Sequence, residues 1–259
     1  MRRILMSLAL LLACTWHTAG AVTISPGQDL AAVPSSSGSG LLGYYYKFNT
    51  TSNIGTLAQA NILISSSGGP TATFTTTSVC FPDCAGTSIA DTSTMIQFVN
   101  GHVSNFAYTV PNSQIPTAIN QSAMVLNGYI AITQAGTYTF NLGSDDGSEL
   151  TIGGQTVINN DNDHAFQVDT GTATFSQAGL YAISIEYFED SGSTGLDFYA
   201  SNGAGTCIIG RAANCAAGTA TTGLLYSTLP TATPEPASLG LFAAGLGGLI
   251  FLRRRARRA

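Results

Sequence analysis

Two pairs of adjacent acids carry the most chemistry in this 259-residue chain: Asp145-Asp146 and Glu189-Asp190. An internal echo links their placement. Thr133-Gln134-Ala135-Gly136-Thr137-Tyr138 returns as Ser176-Gln177-Ala178-Gly179-Leu180-Tyr181, each a turn that launches a strand. Counted from the glycine, the first strand reaches Asp145-Asp146 after nine and ten residues, and the second reaches Glu189-Asp190 after ten and eleven. If both strands run in one direction in facing or neighbouring sheets, four carboxylates gather at one end of the molecule and repel one another unless a cation joins them. Hard oxygen ligands of this kind suit calcium. Spacing alone favours the plainer alternative of acids solvated in turns, because Asp-Gly is ordinary turn chemistry.

A second polar cluster, Asn159-Asn160-Asp161-Asn162-Asp163-His164, does not fit the spacing of an EF-hand loop and reads as a surface loop, with packing beside the Asp pair as the alternative. Neither His102 nor His164 has a Ser or Cys nucleophile at a recognised spacing, and there is no Gly-x-Ser-x-Gly elbow and no His-Glu-x-x-His. Paired carboxylates of a glycosidase face each other across a cleft, about 5 to 9.5 Å apart. Sequence-adjacent Asp145 and Asp146 do not describe such a pair, so the expectation is a protein that is not an enzyme.

The elements that must hold these acids are strands. Tyr181, Ile183, Ile185 and Tyr187 share one face while Ala182, Ser184 and Glu186 share the other, the period of a half-buried strand. Similar runs occupy Gly128 to Ile132, Thr137 to Leu142, Glu149 to Ile152, Thr156 to Ile158 and Leu196 to Ala200, and Gly153-Gly154 is a tight hairpin turn. No helical period is evident before the C-terminal tail. Short antiparallel strands in this number predict an all-β sandwich. Tyr187, Phe188 and Phe198 are expected in its core.

Charge excludes some functions. Between residues 22 and 233 the only basic residues are Lys47 and Arg211, against 13 acids, a net charge of −11. Such a surface repels polyphosphate, so no nucleic-acid partner is expected. Charged residues are only 9% of the chain, as in exported β-rich proteins.

Both ends read as targeting segments. Arg2 and Arg3 precede an apolar run from Ile4 to Ala13 and then Ala19-Gly20-Ala21, a signal peptide spanning 1–21 and cut by signal peptidase. A weaker alternative is a lipoprotein box at Leu12-Ala13-Cys14. At the other end Pro234-Glu235-Pro236 leads into the uncharged run 237–252 and a cluster of five arginines between Arg253 and Arg258. As a helix that run would span about 24 Å, short of a roughly 30 Å bilayer core unless the arginines snorkel. The order Pro-Glu-Pro, short Gly/Ala/Leu helix, Arg-rich end resembles the PEP-CTERM sorting signal. That resemblance implies passage through the inner membrane, cleavage by an exosortase near Pro234 to Pro236, and delivery outside a Gram-negative bacterium that makes exopolysaccharide, with the protein secreted or held at the cell surface.

Four cysteines outside the signal peptide, in an oxidising compartment, imply two disulfides. Short separations favour Cys80 with Cys84 and Cys207 with Cys215, and zinc spacing is not present.

Gly40-Leu41-Leu42-Gly43-Tyr44-Tyr45-Tyr46, Gly128 to Ile132, Gly136 to Phe140, Ser144-Asp145-Asp146-Gly147-Ser148-Glu149-Leu150-Thr151-Ile152-Gly153-Gly154 and Gly179 to Phe188 together resemble a PA14 domain. The resemblance implies a β-sandwich in which Asp145 and Asp146, joined by a cis peptide, hold calcium that contacts sugar hydroxyls. It also implies that Glu189, Asp190, Ser191 and Gly192 supply further ligand contacts, although this loop lacks the Asn of calcium-binding adhesins. The expected organisation is a flexible lead-in at 22–40, the PA14-like sandwich at 41–202, a Cys-containing loop and linker at 203–233 and the sorting signal at 234–259. Two functions follow: a surface or biofilm-matrix module that binds carbohydrate with calcium assistance, or a structural or adhesion protein of the matrix that binds no sugar.

Overall fold

A computed structural model describes residues 21–25, 29–50, 52–210 and 223–229. In chain order its strands are β1 (Val22–Ile24), β2 (Asp29–Ala31), β3 (Leu41–Lys47), β4 (Ala72–Thr76), β5 (Cys80–Phe81), β6 (Ile89–Ala90), β7 (Ser104–Tyr108), β8 (Ser122–Ile132), β9 (Gly136–Asp145), β10 (Ser148–Ile152), β11 (Gln155–Asn160), β12 (Gln167–Phe175), β13 (Gly179–Glu189), β14 (Ser193–Asn202), β15 (Cys207–Ile209) and β16 (Leu225–Tyr226). Two helices, α1 (Leu57–Ser66) and α2 (Met95–Val99), interrupt them.

The strands form two sheets. One runs β1-β12-β9-β14-β15, with β5 and β6 on β14, and the other runs β11-β10-β13-β8-β3-β4-β7, with β16 on β8 and β2 on β13. Every pairing is antiparallel except that of β1 with β12. This is the β-sandwich expected from the alternating pattern. Along β13 the inward residues Tyr181, Ile183, Ile185 and Tyr187 are buried, while Ala182, Ser184 and Glu186 between them are only partly so. Phe140, Leu142, Phe175 and Phe198 come from the opposing sheet. The Phe175 and Tyr181 rings meet edge to face, centroids 4.8 Å apart, which fixes the sheets against each other. Phe188, also buried, packs with Phe48, Ile54 and α1 in a smaller cluster.

The hairpin at Gly153-Gly154 has φ of 57° and 75°, the two positive values that a two-residue type I′ turn requires. The sequence echo has a structural counterpart. Tyr138 donates its hydroxyl to the Gln134 carbonyl at 2.9 Å, and Tyr181 donates to the Gln177 carbonyl at 2.8 Å. Each repeat thus locks its turn to the strand it launches, one in either sheet.

Three expectations need correction. The stretch 22–40, expected to be a flexible lead-in, contributes β1 to one sheet and β2 to the other, and 203–233, expected to be loop and linker, contributes β15 and β16. Short edge strands of two or three residues carry too little alternation to announce themselves. The helices were also not evident, because α1 buries only Leu57 and Ala60 and leaves Ile62 70% exposed, so its apolar residues mark no stripe. What starts them is capping: Thr56 accepts from the Gln59 N–H, and Thr94 with Gln97 forms a capping box. Among the described residues no helix is long and apolar enough to cross a membrane. The signal peptide, save Ala21, and Pro234-Glu235-Pro236 with the run 237–252 lie outside the described residues.

Candidate functional site

Both acid pairs reach the same end of the sandwich. Asp145 closes β9 and Asp146 follows it, joined by a cis peptide. Glu189 closes β13 in the other sheet, and Asp190 follows it. They meet across the gap between the sheets: the Asp190 N–H donates to Asp146 Oδ2 at 2.8 Å. All four are buried, at 6%, 2%, 0% and 2% exposure in sequence order, a cost that demands compensation. Ser191 and Gly192, beyond them, are exposed.

Backbone and neutral donors do much of the compensating. Asp146 Oδ1 accepts the His164 N–H at 3.2 Å, and Asp190 Oδ1 accepts from the Ile54 N–H at 2.6 Å and from Gln121 Nε2 at 2.5 Å. Ser88 and the backbone of Phe166 stand near the Asp145 carboxylate and favour its ionised form against burial. Tyr187, at the inner end of β13, ties the two pairs together. Its hydroxyl donates to the Asp145 carbonyl at 2.5 Å or to Glu189 Oε2 at 3.1 Å and lies 2.6 Å from Thr194 Oγ1. Among the described residues, Glu189 Oε1 has no hydrogen-bond partner.

Burial, and then the crowding of acids, pushes their protons on. Burial raises Asp145 above the ordinary carboxylate range. Burial, with Asp163 beside it, pushes Asp146 up to about 7. Burial, reinforced by Asp146, pushes Glu189 up to about 10. Lys47 is the sole Lys or Arg among the described residues, and its Nζ is engaged by Oδ1 of Asn120 at 3.0 Å and by the carbonyl of the same residue.

Of the cluster 159–164, expected as a surface loop, Asn159 and Asn160 instead end β11, with Asn160 buried, while 161–164 do form a loop that also packs on the Asp pair. Besides the His164 contact, Asp163 stands beside Asp146 and raises its pKa, and a Cβ on Gly147 would stand 2.8 Å from the Asn162 carbonyl oxygen. Asp161 does something else: its Oδ1 accepts from the Leu57 N–H at 2.7 Å, at the start of α1. Pattern reasoning also did not reach Ser88, Gln121 and Ile54, whose only signal is long-range contact. Tyr187 was legible as an inward residue but not as the hydroxyl that joins both acid pairs.

Cys80 and Cys84 form a disulfide beside β14, as their spacing led one to expect. Cys207 is buried on β15, and its expected partner Cys215 lies outside the described residues. Among the described residues, the trio of Cys, His or carboxylate donors lying within 4.8 Å of one another is Cys80, Cys84 and Asp197. With both sulfurs spent in the disulfide it offers a cation one carboxylate, so it is no metal centre. The Asp145-Asp146 end suits a hard cation better: its donors are oxygens, one of them an orphaned buried carboxylate oxygen. Among the described residues it does not gather three carboxylates as tightly as that trio, so hydroxyls, backbone carbonyls or oxygens from a ligand would have to complete a shell of six to eight.

A PA14 domain model matches residues 83–208, and a PEP-CTERM protein-sorting motif matches residues 232–258. Among solved structures the chain is similar to the PA14 domain of the MpAFP antifreeze protein, at 23% identity over 79% of this chain and 97% of that one, with a TM-score of 0.58. It is also similar to the PA14 sugar-binding domain from an RTX adhesin, at 23% identity over 66% of this chain and 94% of that one, TM-score 0.55. At this identity the likeness shows the fold. No curated protein matches the chain.

Proposed function

Because residues 83–208 are a PA14 domain and residues 232–258 a PEP-CTERM sorting motif, we propose that this is an exported, non-catalytic surface or matrix protein whose sandwich binds carbohydrate with the help of calcium. The observation that supports it is the meeting of Asp145-Asp146 with Glu189-Asp190 at one buried end, held by the 2.8 Å bond from Asp190 to Asp146. Among the described residues no lysine or arginine neutralises these four acids, which therefore need protons or a cation. Asp145 and Asp146 would hold the cation, with Glu189 or Asp190 beside it and exposed Ser191 and Gly192 at the rim where a ligand arrives. Bound calcium supplies positive charge and open coordination positions for sugar hydroxyls. The chain's own part is to orient the carboxylates: Tyr187 reaches Glu189, the His164 N–H holds Asp146 and the Ile54 N–H holds Asp190 through hydrogen bonds. That one relative in fold carries the description of a sugar-binding domain is consistent with this function.

Export follows from the sorting motif: an exosortase would cut near Pro234-Glu235-Pro236 and release the domain outside the inner membrane. The test is glycan-array binding with millimolar calcium and with EDTA. Calcium-dependent binding is expected, and calcium binding without any glycan would favour the matrix protein that binds no sugar.

A further inference from the structure

Gly143 and Gly195 sit inside strands with no positive φ to justify them. A strand glycine sacrifices backbone entropy and side-chain packing, and often marks a close approach by another group. Here the group is one aromatic ring. A Cβ on Gly143 would stand 2.7 Å from Cζ of Phe166, and one on Gly195 would stand 2.9 Å from its Cδ2. Phe166 therefore lies across two neighbouring strands, in a cradle that any larger residue at either position would fill.

The register says where that cradle is. Gly195 pairs with Asp145, Gly143 with Asp197 and Asn141 with Tyr199. Leu142, Leu196 and Phe198 on the same strands face the core, so these three rows face outward. The Phe166 ring covers the first two rows, its backbone stands near the Asp145 carboxylate, and Tyr199 stands on the third. From the first row to the third is four residues of strand, about 13 Å. A cavity of about 480 Å³ runs there, lined by Phe166 and Tyr199 together with Gln167, Val168 and Asp197. Phe166 and Tyr199 are half-buried and Val168 is 43% exposed.

Such a lining mixes aromatic surface with an amide and a carboxylate. A saccharide matches it, having an apolar C–H face to lay on a ring and a hydroxyl edge for polar groups. An alkyl chain would leave the polar groups unmatched. The geometry points to Phe166 as the stacking platform of an extended saccharide subsite that leads away from Asp145 towards Tyr199, so the ligand is an oligosaccharide rather than a single sugar. This rests on the carbohydrate-binding function proposed above.

The test uses a printed array of defined mono-, di- and trisaccharides of hexoses, deoxyhexoses and uronates, with calorimetric calcium titration and melting temperature recorded on the same samples. Phe166→Leu keeps apolar packing on the two glycines but has no ring face. It is expected to weaken binding of the best oligosaccharide about tenfold while calcium affinity and melting temperature stay within error, and Phe166→Tyr should restore it. Tyr199→Ala should weaken the trisaccharide but not its terminal monosaccharide. If Phe166→Leu binds as wild type does, the platform is wrong while the calcium site stands. If the wild type binds calcium and no glycan, both the platform and the sugar-binding function fall.

Discussion

Asp190 donates its backbone N–H to Oδ2 of Asp146 at 2.8 Å, across 44 residues of sequence and from one sheet to the other. That bond makes the acidic end one site. It brings the turn after β9 and the turn after β13 to a common centre.

The first prediction concerns calcium. A cation that binds only the folded form raises its stability by mass action. Millimolar calcium should raise the melting temperature, and Asp145→Ala with Asp146→Ala should abolish the rise. Asp161→Ala should keep most of it, since Asp161 serves α1 and not the cluster. A calorimeter that records no heat of calcium binding to the wild type would remove the metal site.

The second is a pH dependence in EDTA. Asp146 moves from an ordinary 3.8 to about 7 in the fold, and Glu189 from 4.5 to about 10. A carboxyl whose folded value is raised binds more protons folded than unfolded, so stability falls as pH rises between the two values. Melting temperature should therefore decline most steeply between about pH 4 and pH 7, where Asp146 and Glu189 both contribute, and more gently from there towards pH 10, where Glu189 acts alone. Asp146→Asn should make the first part shallower. Because calcium competes with those protons, its affinity should tighten as pH rises through about 7. A melting temperature that climbs over this range in EDTA would contradict both shifts.

Third, Tyr187→Phe removes the hydroxyl that lies within reach of the Asp145 carbonyl, Glu189 and Thr194, in a position where water cannot replace it. Leaving such groups unsatisfied costs about 1–3 kcal/mol. Urea denaturation should show a loss of that size with an unchanged slope. A loss below about 0.5 kcal/mol would mean the hydroxyl is not holding the site together.

Fourth, exosortase cleavage should leave a mature form that ends near residues 234–236 and lacks Arg253 to Arg258. Intact-mass spectrometry of protein recovered from the cell exterior reads this directly, and the arginine cluster persisting on that form would exclude processing at Pro-Glu-Pro.

Alternation along the chain was enough to determine the sandwich, because a strand half-buried on one face must repeat every two residues, as Tyr181 to Tyr187 do. The glycine pair at 153–154 set its own turn by conformational freedom. The echo of Gln134 to Tyr138 in Gln177 to Tyr181 set where both acid pairs would emerge. These are local signals. What only the tertiary structure decided is what surrounds them. The loop at 161–166, the segment before α1 and Ser88 each close over the acids through contacts between residues far apart in sequence, and no periodicity encodes such a contact. The same holds for Phe166: a ring in one loop and two glycines on separate strands mean nothing until the register of β9 against β14 sets them side by side. Burial is the other quantity the sequence left open. Acids in turns are ordinarily solvated, and it took the closing of three segments over Asp145, Asp146, Glu189 and Asp190 to turn them into groups that must hold a proton or a cation.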